Sequence, residues 1–165
     1  MRNIFICLIF AFITLTSCES INDERIPPVS VHLKLDNQGL WDTYGVHGYG
    51  DYRYFIREEK KPSNFTYTDI TTTGFGGILL ICGYSNGNYN SPLAYDLACP
   101  VEAKYNVRLQ IDKSTFEAYC SKCGSRYDVC EGNGRPTSGE AASRNFGMKQ
   151  YHVYPAQLGG YIVSR

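Results

Sequence analysis

Seven cysteines stand in a chain of 165 residues, and their spacing sorts the chemistry open to each. Cys120-Ser121-Lys122-Cys123-Gly124 is a tight knuckle. Two intervening residues let both sulfurs converge on one ion, and the glycine opens room for backbone amides. A thioredoxin-like redox pair opens a helix, and Gly124-Ser125-Arg126-Tyr127-Asp128 is no helix start. A c-type haem requires histidine directly after the second cysteine, where Gly124 stands. A zinc ribbon takes a second such pair, which the sequence lacks. No Ser–His–Asp arrangement, glycine-rich phosphate loop or HExxH helix offers another chemistry, so no catalytic residue is assigned.

Cys7 and Cys18 belong to the leader. Met1-Arg2-Asn3 carries one positive charge, and Ile4 to Leu15 is almost wholly apolar. As a helix this run rises only about 18 Å, short of a hydrocarbon core of about 30 Å, so it reads as a signal peptide rather than a spanning anchor. Leu15-Thr16-Ser17-Cys18 resembles the lipobox of bacterial lipoproteins, in which the cysteine is acylated and becomes the new N-terminus. That resemblance implies removal of residues 1–17, lipid on Cys18 and a lipid-anchored protein of the cell envelope, facing the periplasm or the surface. Two or three acyl chains hold a protein on a membrane durably. Glu19 to Pro28 is polar and ends in two prolines, so residues 18–28 read as a tether of about 17 Å random-coil span.

The rest, residues 29–165, reads as one domain built of strands. Val29 to Leu35 alternates apolar and polar residues, the pattern of a half-buried strand, and Asp36-Asn37-Gln38-Gly39 reads as a turn. Leu40 to Phe55 reads as strands with bends; Trp41 and the Tyr44–Tyr54 stretch suit core and cross-strand pairs better than a binding surface. Ile78 to Cys82 reads as a fully buried strand with Cys82 as a small core residue. Ser85-Asn86-Gly87-Asn88 reads as a hairpin turn into a strand at Leu93–Ala98. Val107 to Ile111 alternates, with a partner strand at Thr115–Tyr119, and Gln150–Ala156 with Tyr161–Ser164 makes a closing hairpin. Only Ser138 to Phe146 suggests a helical turn. Short strands at regular spacing predict an all-β sandwich or barrel-like domain. Sixteen basic and sixteen acidic side chains leave no basic excess for a nucleic-acid partner, and mixed sign with 19% charged residues argues against disorder.

The surroundings of the knuckle resemble the Rieske [2Fe–2S] domain. The resemblance rests on Ala98-Cys99-Pro100-Val101, on Cys120 to Asp128, on Gly132 to Gly134, on Ser138-Gly139-Glu140-Ala141 and on Tyr151-His152-Val153. It covers residues 74–165 and implies that family's antiparallel sandwich or barrel with a small two-loop knuckle subdomain. Ser125 and Tyr127 match positions that hydrogen-bond cluster sulfur in the family, and with the histidine ligands gone their expected role here is to support the loop. It departs at the ligands. The family binds one iron through two cysteines and the other through two histidines. Here the histidine positions hold Val101 and Cys123, and His32, His47 and His152 lie outside both loops.

Cys99, Cys120 and Cys123 remain as a candidate set, with Glu102 or Cys130 as candidate fourth ligand. Such a set suits zinc or a lower-potential iron–sulfur site, and an empty or disulfide-bridged site stands beside these. The expected function is a non-enzymatic binding or structural module with its cluster site lost or altered. The alternative is an electron carrier using a metal at the three cysteines.

Overall fold

A computed structural model of the chain describes residues 20–165; the expected signal peptide, Cys7 and Cys18 lie outside the described residues. The described chain is all-β. Seven strands form a nearly closed antiparallel sheet. Their spatial order is β2 (Tyr52–Phe55), β4 (Ile78–Ser85), β5 (Asn88–Asp96), β10 (Gln150–Pro155), β11 (Tyr161–Ser164), β1 (Val31–Leu35) and β3 (Thr72–Thr73). A second, smaller sheet joins β6 (Gln110–Ile111), β7 (Glu117–Tyr119), β8 (Arg126–Asp128) and β9 (Arg135–Ser138).

The alternation along β1 places Val31, Leu33 and Leu35 in the core and turns His32 and Lys34 away from it. In β4 the apolar run is continuous because both faces of the strand are covered. Ile78, Leu80 and Cys82 point into the barrel with Leu33, Phe55 and Tyr151. Leu79 and Ile81 face a second core, shared with Tyr95, Leu109 and Tyr127, that glues the small sheet to the outside of β4 and β5. Cys82 is thus a buried core residue, as its place in the run suggests. The β4–β5 turn has Asn86 and Gly87 both at positive φ, the conformation that suits the twist of a tight hairpin. The closing hairpin pairs β10 with β11 over His152–Pro155.

Two expectations change. The turn at Asp36–Gly39 is the start of a helix, α1 (Gln38–Tyr44). Asn37 is its N-cap: the side-chain oxygen accepts the Leu40 N–H at 3.0 Å, and the helix lays Trp41 into the barrel core against Tyr161. Asparagine serves turns and N-caps alike, which is why local chemistry pointed to the wrong element. The second helix, α2 (Gly139–Arg144), falls where a helical turn was expected.

The tether is the other correction. Residues 20–26 are bonded to the body. Asn22 donates its N–H to the Asn145 carbonyl at 2.9 Å and accepts the Gly147 N–H at 2.9 Å. Lys149 pairs with Asp23 at 3.2 Å, and Ile26 is buried. None of the described helices is long and apolar enough to cross a membrane.

Candidate metal centre

Two loops emerge beside each other from the two sheets, and each carries part of the cysteine set. The first continues from β5 through Leu97 and Ala98 to Cys99. It is tied down at both ends of its curve, because Cys99 donates its N–H to Val107 O at 2.9 Å while its own carbonyl accepts the Ala103 N–H at 2.8 Å. The second joins β7 to β8. There the Cys120 carbonyl accepts the Gly124 N–H and the Cys120 N–H reaches the Ser125 carbonyl, each at 2.9 Å, so Cys120–Cys123 is wound into one tight turn. Gly124 sits at φ +72°, in the left-handed region where a glycine is nearly free of strain.

The turn and the loop bring Cys99, Cys120 and Cys123 together. Their sulfurs all lie within 4.8 Å of one another, and Cys99 Sγ is 3.6 Å from Cys123 Sγ. The pair is not a disulfide, whose sulfurs stand about 2.05 Å apart; all five cysteines among the described residues are free. Cys99 and Cys120 are buried, whereas Cys123 is partly open to solvent.

The surroundings treat the three thiols differently. Burial pushes Cys99 up to about 12, against the pull of the Glu102 N–H. Cys123 goes the other way. Burial raises it, but the Ser125 hydroxyl and N–H, with the neighbouring Cys120 and Cys99 thiols, bring it below the usual thiol value. Ser125, fully buried, accepts the Ala141 N–H on its Oγ at 3.1 Å. Cys123 Sγ donates to the same oxygen at 3.4 Å, and once that thiol ionises the hydroxyl can turn its proton to the sulfur. Tyr127 has its hydroxyl 3.9 Å from Cys99 Sγ. Burial first, then the nearby thiols, pushes that phenol far up, so it stays protonated and able to donate to sulfur. Ser125 and Tyr127 thus each lie beside a different sulfur of the group.

The two candidate fourth ligands stand outside the group. The Glu102 carboxylate is engaged with Lys122 at 2.5 Å, an ion pair that joins the two loops above the sulfurs. Cys130 is buried past the end of β8, its thiol directed at the carbonyls of Phe116 at 3.8 Å and Cys82 at 4.0 Å. None of the histidines enters the group: His32 is on β1, His47 packs its ring against Trp41, and His152 stacks on Tyr154. Val101 packs against the second core and offers no donor.

One residue that holds the site together carried no signal of its own in the sequence. Asp96, fully buried at the end of β5, accepts N–H groups from Phe75, Gly76 and Ala98 and the Tyr151 hydroxyl. It thereby fixes Ala98, the residue before Cys99. The clue was the run Gly74-Phe75-Gly76-Gly77: a Cβ on Gly76 would stand 2.4 Å from Ala98 N, so only glycine lets that turn close on the loop.

The contrast between Cys99 and Cys123 predicts an order of reaction. With iodoacetamide at pH 8 and without metal, Cys123 is expected to alkylate at least about tenfold faster than Cys99, because the thiolate is the nucleophile. Peptide mass mapping over time reads the order, and Ser125→Ala should slow Cys123 selectively. Equal rates at the two cysteines would refute this assignment.

Compared with family models and with curated proteins, the chain matches none.

Proposed function

We propose that this chain is a lipid-anchored envelope protein whose folded part is a Rieske-like module with an altered site. The site holds a single metal ion, zinc, through Cys99, Cys120 and Cys123, and the module binds or supports a partner rather than catalysing a reaction. The observation that carries this reading is the gathering of three sulfurs within 4.8 Å on two separately braced loops. Tetrahedral zinc with Zn–S bonds of about 2.3 Å sets its sulfurs about 3.8 Å apart, close to the 3.6 Å between Cys99 and Cys123. Three thiolates and one open position suit a single ion. A [2Fe–2S] cluster takes four protein ligands, and the described group supplies three. Zinc has no redox chemistry, so the reading favours a structural or binding role over electron transfer.

The electrostatics agree with a cation. Three thiolates around one divalent ion leave one negative charge, and the Ser125 and Tyr127 hydroxyls stand where they can offset it. Elemental analysis of the chain purified from residue 19 under anaerobic conditions tests the proposal. One zinc per chain and no sulfide is expected. Two irons with acid-labile sulfide and visible absorption bands would replace it with the electron-carrier reading. A colourless, metal-free protein that also fails to take up added zinc would leave the site without a metal.

A further inference from the structure

The segment that follows Cys18 lies across the body as a clasp, and it ends beside the candidate metal centre. Arg25 is the clasp at one end. Its Nε donates to the Pro100 carbonyl at 3.3 Å, one residue from Cys99. Its guanidinium covers one part of the Phe146 ring at 4.8 Å while Arg144 lies 5.7 Å from the same ring. At the other end, Asn145 Nδ2 donates to the Ser20 carbonyl at 2.7 Å. Between them run the paired Asn22 backbone bonds and the Asp23–Lys149 ion pair. Gly147 lets the segment lie close against the body: a Cβ there would lie 2.1 Å from Cγ2 of Ile21. A free tether needs none of this. Backbone hydrogen bonds, an ion pair, a cation–π clasp and the buried Ile26 together oppose the entropy of a disordered segment.

The clasp reaches the cysteines by a short path. Cys123 Sγ touches Ser125 Oγ, which holds the Ala141 N–H, and Ala141 is four residues from Asn145 along α2. With a helical rise of about 1.5 Å per residue, that chain of contacts keeps Ser20 within roughly 20 Å of the Cys123 sulfur. Cys18 precedes Ser20 by two positions, at most about 7 Å of extended chain.

We propose that Ser20–Ile26 is a rigid strap that transmits the hold of the lipid anchor to the body. The domain then stands in fixed orientation on the bilayer, the face around Ser20 and Arg144 against the lipid surface and the three cysteines held close to it. This inference rests on the reading of Cys18 as acylated, and it adds that the partner surface is the bilayer itself. A centre so placed serves partners that are also at the membrane surface. The chain outside the structure supports this occupant, because the acylation site lies within two residues of the point where the strap begins.

The test uses the full chain after export and processing, reconstituted in lipid nanodiscs. Mass spectrometry of the N-terminal peptide first establishes whether Cys18 carries acyl chains. Amide resonances of the domain are then compared with those of a variant carrying ten Gly/Ser residues between Glu19 and Ser20, outside the strap. The native protein is expected to tumble with the disc, with amide lines at least about twofold broader than in the variant, whose linker frees the domain. Equally narrow lines in both proteins, with Cys18 acylated, would overturn the strap while leaving the anchor. Absence of acyl chains on Cys18 would overturn the anchor and with it the placement on the bilayer. The soluble variant from residue 19 should show the Asn22 and Gly147 amides protected from hydrogen exchange, and unprotected amides there would overturn the strap whatever the state of Cys18.

Discussion

Cys99→Ser is expected to abolish tight metal binding while leaving the fold in place. Cys120 and Cys123 share one turn, but Cys99 comes from the loop after β5 and is the sole described sulfur that ties that loop into the group. Serine keeps the shape and removes the soft donor that zinc or cobalt selects. Loss of a supporting residue behind a ligand already lowers metal affinity about 10- to 100-fold, and loss of the ligand itself should exceed that. In the native chain, cobalt(II) added in place of zinc should give thiolate-to-metal charge-transfer bands at one equivalent, and Cys99→Ser should show none. Stability provides a second reading. A ligand present at about 1,000 times its Kd stabilises the native state by about 4 kcal/mol. For a domain of this size that is a rise in Tm of about 10 °C on adding zinc, absent in Cys99→Ser. Cys130→Ser is the control. Its thiol faces the carbonyls of Cys82 and Phe116 rather than the other sulfurs, so its cobalt spectrum should match that of the native chain. An unchanged cobalt spectrum in Cys99→Ser would remove the site.

Acid should release the metal. Each thiol that gives up a proton to bind makes affinity rise with pH. Cys99, pushed up to about 12 by burial, carries its proton at neutral pH in the metal-free chain, so binding there must expel it. Affinity therefore falls as pH drops, and the proton released on binding is measurable in a weakly buffered titration.

How far the sequence discloses all this differs from element to element. Strands whose pattern is set by burial were legible: β1 through its alternation, β4 through its continuous apolar run, and the β4–β5 turn through Asn86-Gly87. The three sulfurs were legible too, since a CxxC knuckle and a lone cysteine ahead of it are chemistry written in residue types. What could not be read was anything settled by a partner distant in the chain. Arg126-Tyr127-Asp128 is too short to show a period, yet it is the centre of the small sheet because β7 and β9 flank it. Glu102 looked like a ligand because nothing local reveals that Lys122 reaches it from the other loop. The strap looked like a linker for a related reason. Its polar residues make backbone bonds to Asn145 and Gly147 and an ion pair to Lys149, contacts that leave no apolar period behind.

Asp96→Ala is expected to cause the largest loss of stability, and its cause is backbone that stays in place when the side chain goes. Replacing a buried charge and its partners together with apolar groups is often nearly neutral. Here three of the four partners are the N–H groups of Phe75, Gly76 and Ala98, at 2.7 to 3.0 Å, and they stay when the carboxylate goes. Each buried donor left without a partner costs about 1–3 kcal/mol, so the total loss should be about 4 kcal/mol even if a water enters the space and recovers part of it. In Tm this is about 8–16 °C for a domain of this size. Burial pushes the Asp96 carboxyl above its usual value, against the pull of the Tyr151 hydroxyl and the three N–H groups. Milder variants should rank below it in order. Asp96→Asn keeps one acceptor oxygen but turns an amide N–H₂ toward the other donors, and the Phe75 N–H cannot rotate away as a hydroxyl can. Tyr151→Phe removes one donor, leaves the carboxylate its three N–H bonds and should cost the least. Denaturant unfolding with an unchanged m-value reads the series. The effect should also reach the metal, because Ala98 holds the loop that presents Cys99. Tyr151→Phe, folded and only mildly destabilised, is expected to bind cobalt more weakly than the native chain, though far better than Cys99→Ser. A loss below about 1 kcal/mol in Asp96→Ala would mean the three N–H groups find other partners, and the cradle would then not be what fixes the loop.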